Sequence, residues 1–237
     1  MKKLDSATIH NQNFGNVETY YSTYYSRMMG ADSEGIMSAL WRYPHNLMEK
    51  NFRVEKFFKV LEVGAGEGEH LLATNVNCVE YTVLDIDEKR LNSINDKSDL
   101  KIVKVVGDAT NTKLESNSYD RLIATCLLAH LPNPELALLE WRRLVKANGV
   151  ISIYLPCEPG IALKTFRKFF SSRKASSLGF HGFDLYIARD HINDAARMIT
   201  LINHVFREDQ ISFKFRPLPI KTWYLNLFAI AEIKMKK

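Results

Sequence analysis

The sequence predicts an α/β protein built on a seven-stranded, mostly parallel sheet with helices on both faces and an antiparallel last strand. Three observations carry that expectation. Five short, β-branched, apolar runs recur between residues 59 and 155, most of them bounded by turn residues. Longer mixed segments of helical character separate them, and strand–helix alternation implies parallel strands buried on both sides. Two more strand-like runs, Ile211–Phe215 and Asn226–Ile233, close the chain around Pro217 and Pro219 and read as antiparallel neighbours.

Composition sets the class. In 237 residues, 46% are hydrophobic, 25% charged and 11% aromatic, enough for one large domain with a buried core and too apolar for a disordered or fibrous chain. A net charge of +5 tolerates an anionic partner but does not by itself indicate nucleic acid. Met1-Lys2-Lys3 is followed by no apolar stretch, and no run is long enough to span a membrane, so a cytoplasmic protein is expected. Cys78, Cys126 and Cys157 are odd in number and widely spaced, which suits free thiols. The loops after the strands hold no His, Asp or Glu pair at ligand spacing, so no metal is implied.

Taken in order, residues 1–55 lack a strand run and read as a helical lid. Tyr20-Tyr21-Ser22-Thr23-Tyr24-Tyr25 places an aromatic stripe on one helix face, the buried side of a helix or a cover over a ligand. Met37–Met48 is the second helix. Its Trp41-Arg42-Tyr43-Pro44-His45 segment offers either polar substrate contacts from Arg42 and His45 or a plain helix break at Pro44. The main domain, residues 56–237, opens with the strand Lys59–Val63, which runs into Gly64-Ala65-Gly66-Glu67-Gly68 and a helix starting near Glu69. Glycine there lets a ligand approach the main chain, and the free amides at the helix start favour polar groups. A dinucleotide fingerprint would need glycine at position 69, which is Glu69 here.

The second strand, Tyr81–Leu84, ends in Asp85, placed to accept both hydroxyls of a ribose. The third, Ile102–Val106, ends in Gly107-Asp108-Ala109, where the acid can meet an adenine amino group. Acids at all three strand tips repel a pyrophosphate but suit a nucleoside attached to a cation. Asp87 and Glu88 read as an ordinary pair of helix-start acids. The fourth strand, Arg121–Thr125, leads into Cys126-Leu127-Leu128-Ala129-His130-Leu131-Pro132. A helix over Pro134–Val145 and the strand Val150–Leu155 follow, then loop and helix over 157–200.

Leu61-Glu62-Val63-Gly64-Ala65-Gly66-Glu67-Gly68, Leu84-Asp85-Ile86-Asp87, Gly107-Asp108-Ala109 and Tyr119-Asp120-Arg121-Leu122-Ile123 stand in the order and spacing of the class I S-adenosylmethionine-dependent methyltransferases, which this chain resembles. Leu128-Ala129-His130-Leu131-Pro132 and Glu140–Gly149 resemble the small-molecule branch, with Ala147-Asn148 standing where that branch has Pro-Gly in a turn. The resemblance covers about residues 56–156 strongly and implies a Rossmann-like sheet and S-adenosyl-L-methionine as cofactor. It gives Gly64, Ala65 and Gly66 the close approach to the methionine part and makes Glu62 order the loop or hold the amino group. Asp85 takes the ribose hydroxyls and Ile86 lies against the adenine. Asp108 and Ala109 meet its edge, and the backbone near Cys126 lies beside the sulfonium.

Methyl transfer is an in-line displacement in which the protein aligns the acceptor and excludes water. A hydroxyl acceptor benefits from a general base, and His130, just after the fourth strand, is the candidate; the alternative is a histidine that only packs in the loop. The acceptor side is expected from the lid and from the insert over 157–205, with Tyr21, Tyr25, Arg42, His45 and His181 as candidate substrate contacts. Leu163–Phe170 with Arg173-Lys174 is basic and Phe-rich, an amphipathic helix with a solvated face or a seat for a phosphorylated or membrane-associated acceptor. The favoured reading is O- or N-methylation of a small-molecule or sugar/glycan acceptor. A cofactor-binding protein of other chemistry, such as a cyclase, would look identical at the glycine turn. A nucleic-acid methyltransferase is disfavoured, because Thr125-Cys126-Leu127-Leu128 stands where an Asn/Asp-Pro-Pro-aromatic segment would be needed.

Overall fold

In the computed structural model, residues 35–95, 100–180 and 182–236 are described. The chain begins there with α1 (Gly35–Glu49), followed by β1 (Phe57–Val63), α2 (Glu69–Ala73), β2 (Cys78–Asp85), α3 (Glu88–Ser93) and β3 (Lys101–Val106). Next come β4 (Tyr119–Thr125), a 3-10 turn at Leu127–Ala129, α4 (Pro134–Leu144) and β5 (Val145–Pro156). α5 (Ile161–Phe166) passes through a π-turn at Arg167–Ser171 into α6 (Ser172–Ser177), and α7 (Phe183–Asp190), α8 (Ala195–Val205), β6 (Gln210–Arg216) and β7 (Phe228–Lys234) complete the order.

The seven strands form one sheet in the order β3-β2-β1-β4-β5-β7-β6. β1 to β5 pair in parallel, and β7 runs antiparallel to both β5 and β6, as the sequence predicts. Strand order reverses between β1 and β4, and in open α/β sheets a ligand binds beyond the strand ends at that reversal. Alternate residues of each central strand feed opposite cores, as the two-residue period of a strand requires. Leu61 and Val63 join Leu122, Trp141 and Ile202 on one face, whereas Val60 joins Tyr81, Val83 and Met48 on the other. Edge strand β3 exposes Lys101 and Lys104, charges that discourage pairing with another chain.

Local chemistry sets the element ends. α4 starts on Pro134 with Glu135 in its first turn and Arg142 and Arg143 in its last, matching the helix dipole at both ends. β5 begins at Val145, earlier than the run Val150–Leu155 suggests, and bends at Asn148 (φ 62) and Gly149. A Cβ at Gly149 would lie 2.8 Å from the Asp120 carbonyl oxygen, so the turn needs glycine there. Asp87 caps α3 by accepting from the Lys89 and Arg90 amides at 2.9 and 3.3 Å, the helix-start role expected of it.

Pro44 does not break α1; the helix continues to Glu49 with the Pro44 ring buried. Burial of that face holds the helix together, and the Asn46 side chain donates to the Arg42 carbonyl at 3.0 Å. α8 contributes Met198, Ile202 and Val205 to the core. Among the described residues, no helix is long and apolar enough to cross a membrane.

Candidate cofactor and acceptor site

The loop after β1 is folded over the end of β2. The Gly64 and Ala65 amides both donate to the Leu84 carbonyl, at 2.8 and 3.0 Å, and Gly66 donates to Asp85 Oδ2 at 2.8 Å. Gly64, Gly66 and Gly68 take left-handed φ values of 67°, 55° and 78°, which side-chain-bearing residues rarely adopt. A Cβ on Gly64 would sit 2.8 Å from Leu127 Cδ1, and one on Gly66 would strike Arg90 and Glu69. The glycines let Leu127, Arg90 and Glu69 close directly onto the loop, a cradle with no room for side chains of its own.

Asp85 is buried at the tip of β2, its Oδ2 holding Gly66 and its Oδ1 accepting from the Asp87 amide at 2.9 Å. A carboxylate has about four lone-pair sites, so each oxygen keeps one for a ribose hydroxyl. Ile86, next in the chain, is 77% exposed, an apolar face beside that acid. Asp108 is exposed after β3 and folds back on Thr110, accepting from its amide and hydroxyl at 2.8 Å each; Ala109 is buried.

Glu62 is fully buried inside β1. Its Oε2 accepts from the Tyr81 hydroxyl at 2.8 Å, while Oε1 has no hydrogen-bond partner. Burial pushes its carboxyl up to about 8, the Tyr81 bond opposing and nearby Glu69 adding to the rise. An unmatched acceptor behind the glycine cradle is what an ammonium group would satisfy. Glu69 is also raised, by burial, against the opposing charge of Arg90, whose Nη2 lies 3.2 Å from its Oε1. Glu62, Glu69 and Asp85 gather three carboxyl groups at this end of the sheet, and a cation bound there would favour their charged forms. S-adenosylmethionine fits these residues on two counts, the orphaned Glu62 oxygen as an acceptor for its ammonium and the lone pairs that Asp85 keeps for its ribose.

Across the strand reversal, Cys126 ends β4 with φ 58, a strained value for a residue other than glycine; such strain concentrates at functional sites. Its amide donates to the Tyr154 carbonyl at 3.1 Å, and burial pushes its thiol up to about 12, leaving it neutral. Cys78, Cys126 and Cys157 are free.

His130 follows the 3-10 turn, and a partner absent from the sequence reading meets it. Its Nδ1 lies 2.9 Å from Asp190 Oδ2 and 3.2 Å from the Asp190 carbonyl oxygen, at the end of α7. Asp190 Oδ2 in turn accepts from the Tyr186 hydroxyl at 2.8 Å. The His191 ring stands edge-on to His130, centroids 4.6 Å apart at 84°, with Nδ1 2.9 Å from Glu158 Oε2. Burial holds the His191 imidazole down to about 3, so it is neutral. Arg167 pairs with Glu158. Buried Asn193 fastens the segment, its Nδ2 donating to the Leu128 and Leu131 carbonyls at 2.8 and 2.7 Å and its amide to Ala129 at 3.1 Å.

The other acceptor candidates separate. Tyr21, Tyr25 and His181 lie outside the described residues. His45 is buried with Nδ1 3.0 Å from Nδ1 of His70, and Arg42 reaches the Leu72 carbonyl at 3.4 Å; both engage α2 and neither joins His130. The contacts that sequence reasoning missed, Glu158, Asp190, His191 and Asn193, sit in the segment read as an insert. An Asp-His pair closing a helix was the available signal, but nothing local says which strand end it meets.

Residues 61–153 match a family model described as a methyltransferase domain. Over those residues the chain carries a methyltransferase domain. The match spans the glycine loop, Asp85, Asp108, Cys126 and His130, while α1 and α5 to β7 lie outside it. The chain is 28% identical over 111 residues to 2-methyl-6-phytyl-1,4-hydroquinone methyltransferase 1 of Oryza sativa, covering 46% of this chain and 34% of that protein. It is 29% identical over 130 residues to sterol 24-C-methyltransferase of Aspergillus fumigatus, covering 52% and 34%. The chain therefore spans about a third of the length of these curated relatives. The solved structure of plantazolicin methyltransferase BpumL shares the fold, with a TM-score of 0.64 at 13% identity over 93% of this chain and 94% of that one.

Proposed function

We propose that the chain transfers the methyl group of S-adenosylmethionine to a small-molecule acceptor, with a sugar or glycan bearing hydroxyl or amino groups as the favoured class. One observation carries the reading. The glycine cradle, Asp85 and the orphaned Glu62 oxygen converge at the ends of β1 and β2, and His130 with its Asp190 contact stands across from them beyond β4. S-adenosylmethionine, when bound, supplies an already activated methyl on a sulfonium. The chain's own residues then need only hold, orient and dry the two reactants.

Asp85 holds the ribose, Ile86 covers the adenine, Glu62 takes the ammonium, and the Gly64–Gly66 loop fixes the methionine end. Asp108 and Ala109 border the adenine edge, and the Cys126 backbone lies by the sulfur. On the other side, His130, Asp190, Tyr186 and His191 offer hydrogen-bonding groups for a polar acceptor, and His130 serves its activation. The hydroquinone and sterol named for the relatives support a small-molecule acceptor over nucleic acid.

The test is a panel of sugar nucleotides, glycans, quinols and sterols incubated with isotopically labelled cofactor, products read by mass spectrometry. Transfer to a sugar or other small polar acceptor supports the reading. A melting-temperature response to the cofactor with no labelled product from any acceptor, or with an unmethylated rearranged product, counts against it.

A further inference from the structure

We propose that His130, Asp190 and His191 form a binding site for a divalent transition-metal ion of the zinc class on the acceptor side of the domain. The proposal rests on the reading of that side given above and replaces an unaided imidazole with a Lewis acid as the means by which His130 serves acceptor activation. One ligand atom from each of the three residues lies within 4.8 Å of the others. Ligands about 2.0–2.2 Å from a common tetrahedral ion lie roughly 3.3–3.6 Å apart, so side-chain movements of about 1 Å close the site. Two imidazoles and one carboxylate favour zinc, cobalt or iron over magnesium or calcium, which prefer oxygen ligands.

The residues behind the three are those a metal site needs. Metal-bound histidines have their second nitrogen hydrogen-bonded to a carboxylate or a main-chain carbonyl, which fixes the ring and its tautomer. His191 Nδ1 lies 2.9 Å from Glu158 Oε2, and Glu158 is steadied by Arg167. His191 thus has Nδ1 engaged and leaves Nε2 for an ion. His130 turns Nδ1 itself toward Asp190 Oδ2, 2.9 Å away, so an ion joining these two residues would be held by His130 Nδ1, with the Asp190 carbonyl oxygen 3.2 Å from the same nitrogen. The Tyr186 hydroxyl, 2.8 Å from Asp190 Oδ2, orients the carboxylate. Asn193, fixed to the Leu128 and Leu131 carbonyls, locks the α7 end onto the β4 loop, so ligands 60 residues apart in sequence are held before any ion arrives.

Three protein ligands leave coordination positions open. An ion there would polarise an acceptor oxygen and favour its deprotonated form, so the site points to hydroxyl acceptors over amines.

The experiment uses tag-free protein stripped with a chelator and dialysed. Zn2+ is titrated by calorimetry and Co2+ by visible absorption, without acceptor, and the cofactor melting response is recorded on the same samples. The expected result is one saturable equivalent, with d–d bands of a low-coordinate Co2+ site. His191→Gln and Asp190→Asn should each weaken Zn2+ binding by at least 10-fold, and Glu158→Gln by about 10- to 100-fold through the lost support of His191. Absence of saturable binding in protein that answers the cofactor overturns the metal site and leaves the methyltransferase reading standing. Equal binding by wild type and a His130→Gln/His191→Gln double variant also overturns it, placing the ion elsewhere. Loss of the cofactor response alone, with metal binding intact, would strike the methyltransferase reading and not this site.

Discussion

Arg121 and Glu49 form a fully enclosed bidentate pair, Nη1 at 2.9 Å and Nη2 at 2.7 Å from the two carboxylate oxygens, joining central strand β4 to the last turn of α1. Arg121 is 0% exposed and stacks its guanidinium 4.2 Å from the Phe52 ring centroid. His70 Nε2 also lies 2.9 Å from Glu49, and His45 follows behind it, so one carboxylate ties α1, α2 and β4 together. Removing one partner from such a pair costs about 3–5 kcal/mol, because the other charge is left buried and alone. Glu49→Gln should therefore lower the urea midpoint sharply, and Glu49→Gln/Arg121→Met should recover most of the loss.

The same network sets an acid limit. Hydrogen bonds from His70 and Arg121 outweigh burial and pull the Glu49 carboxyl from 4.5 to about 2. A depressed folded-state value means its stabilisation is complete above pH 4.5 and disappears as pH falls toward 2; integrated, it is worth about 3 kcal/mol. His45 and His70 are also lowered, by burial first, and must take up protons on unfolding below about 6.5. All three act in one direction, so urea midpoints should decline from pH 6.5 downward. The slope between pH 5 and 3 should flatten in the Glu49→Gln/Arg121→Met double variant.

Glu62 runs opposite in sign. With its folded value raised to about 8, the native state holds a proton that the unfolded chain gives up near 4.5, so its contribution to stability falls as pH rises between those values and is level above 8. Glu62→Gln removes that penalty and should stabilise the protein at pH 7–8 by on the order of 2–4 kcal/mol. On the proposed role of Glu62 as the acid that takes the cofactor ammonium, the same change should also weaken cofactor binding about 10-fold, the loss of one hydrogen bond to a charged group. Wild-type binding should release a proton, seen as a dependence of binding heat on buffer ionisation enthalpy, and the variant should lose that dependence.

Legibility in the sequence follows the range of each interaction. The glycine cradle and Asp85 were readable because a left-handed loop closing on a strand tip is decided within about twenty residues. The strand order followed from short β-branched runs, and the caps at Asp87 and Pro134 from neighbours three or four positions away. Arg121 within an apolar run was the visible sign of a buried partner, but Glu49 lies 72 residues earlier and nothing local identifies it. Asp190 meets His130 across 60 residues for the same reason. Of the two readings open at Pro44, the helix break fails: local propensity argues for it, whereas burial of the Pro44 ring and of Met48 holds α1 continuous.

Gly64→Ala tests the cradle without touching an acid. Alanine at φ 67 costs about 1–2 kcal/mol, and its Cβ would push on Leu127 Cδ1 and Cδ2, each 2.8 Å away. Since about 2–4 °C of melting temperature accompany each kcal/mol in a domain of this size, the drop should be modest, roughly 2–8 °C. The cofactor-induced rise in melting temperature should vanish. A companion Gly179→Ala, at φ 87 with nothing within 4 Å of the added Cβ, carries similar backbone strain away from the cradle and should keep the full cofactor response.

Asn193→Ala separates the two halves of the site. The Asn193 side chain is 1% exposed, and its loss leaves the Leu128 and Leu131 carbonyls without their side-chain donor. That should cost about 2–3 kcal/mol, the usual penalty for two buried groups left short of a partner. The amide bond to Ala129 survives, so the α7–α8 connection should loosen rather than detach. Cofactor affinity, assigned in the proposed function to the β1 and β2 loops, should stay within about twofold, because sites without shared partners act nearly independently. Acceptor KM should rise, and amide hydrogen exchange should quicken at residues 128–131 and 190–193. If exchange quickened equally in the Gly64–Gly68 loop, the two sides would be one cooperative unit, and the division between cofactor-holding and acceptor-holding elements would be wrong.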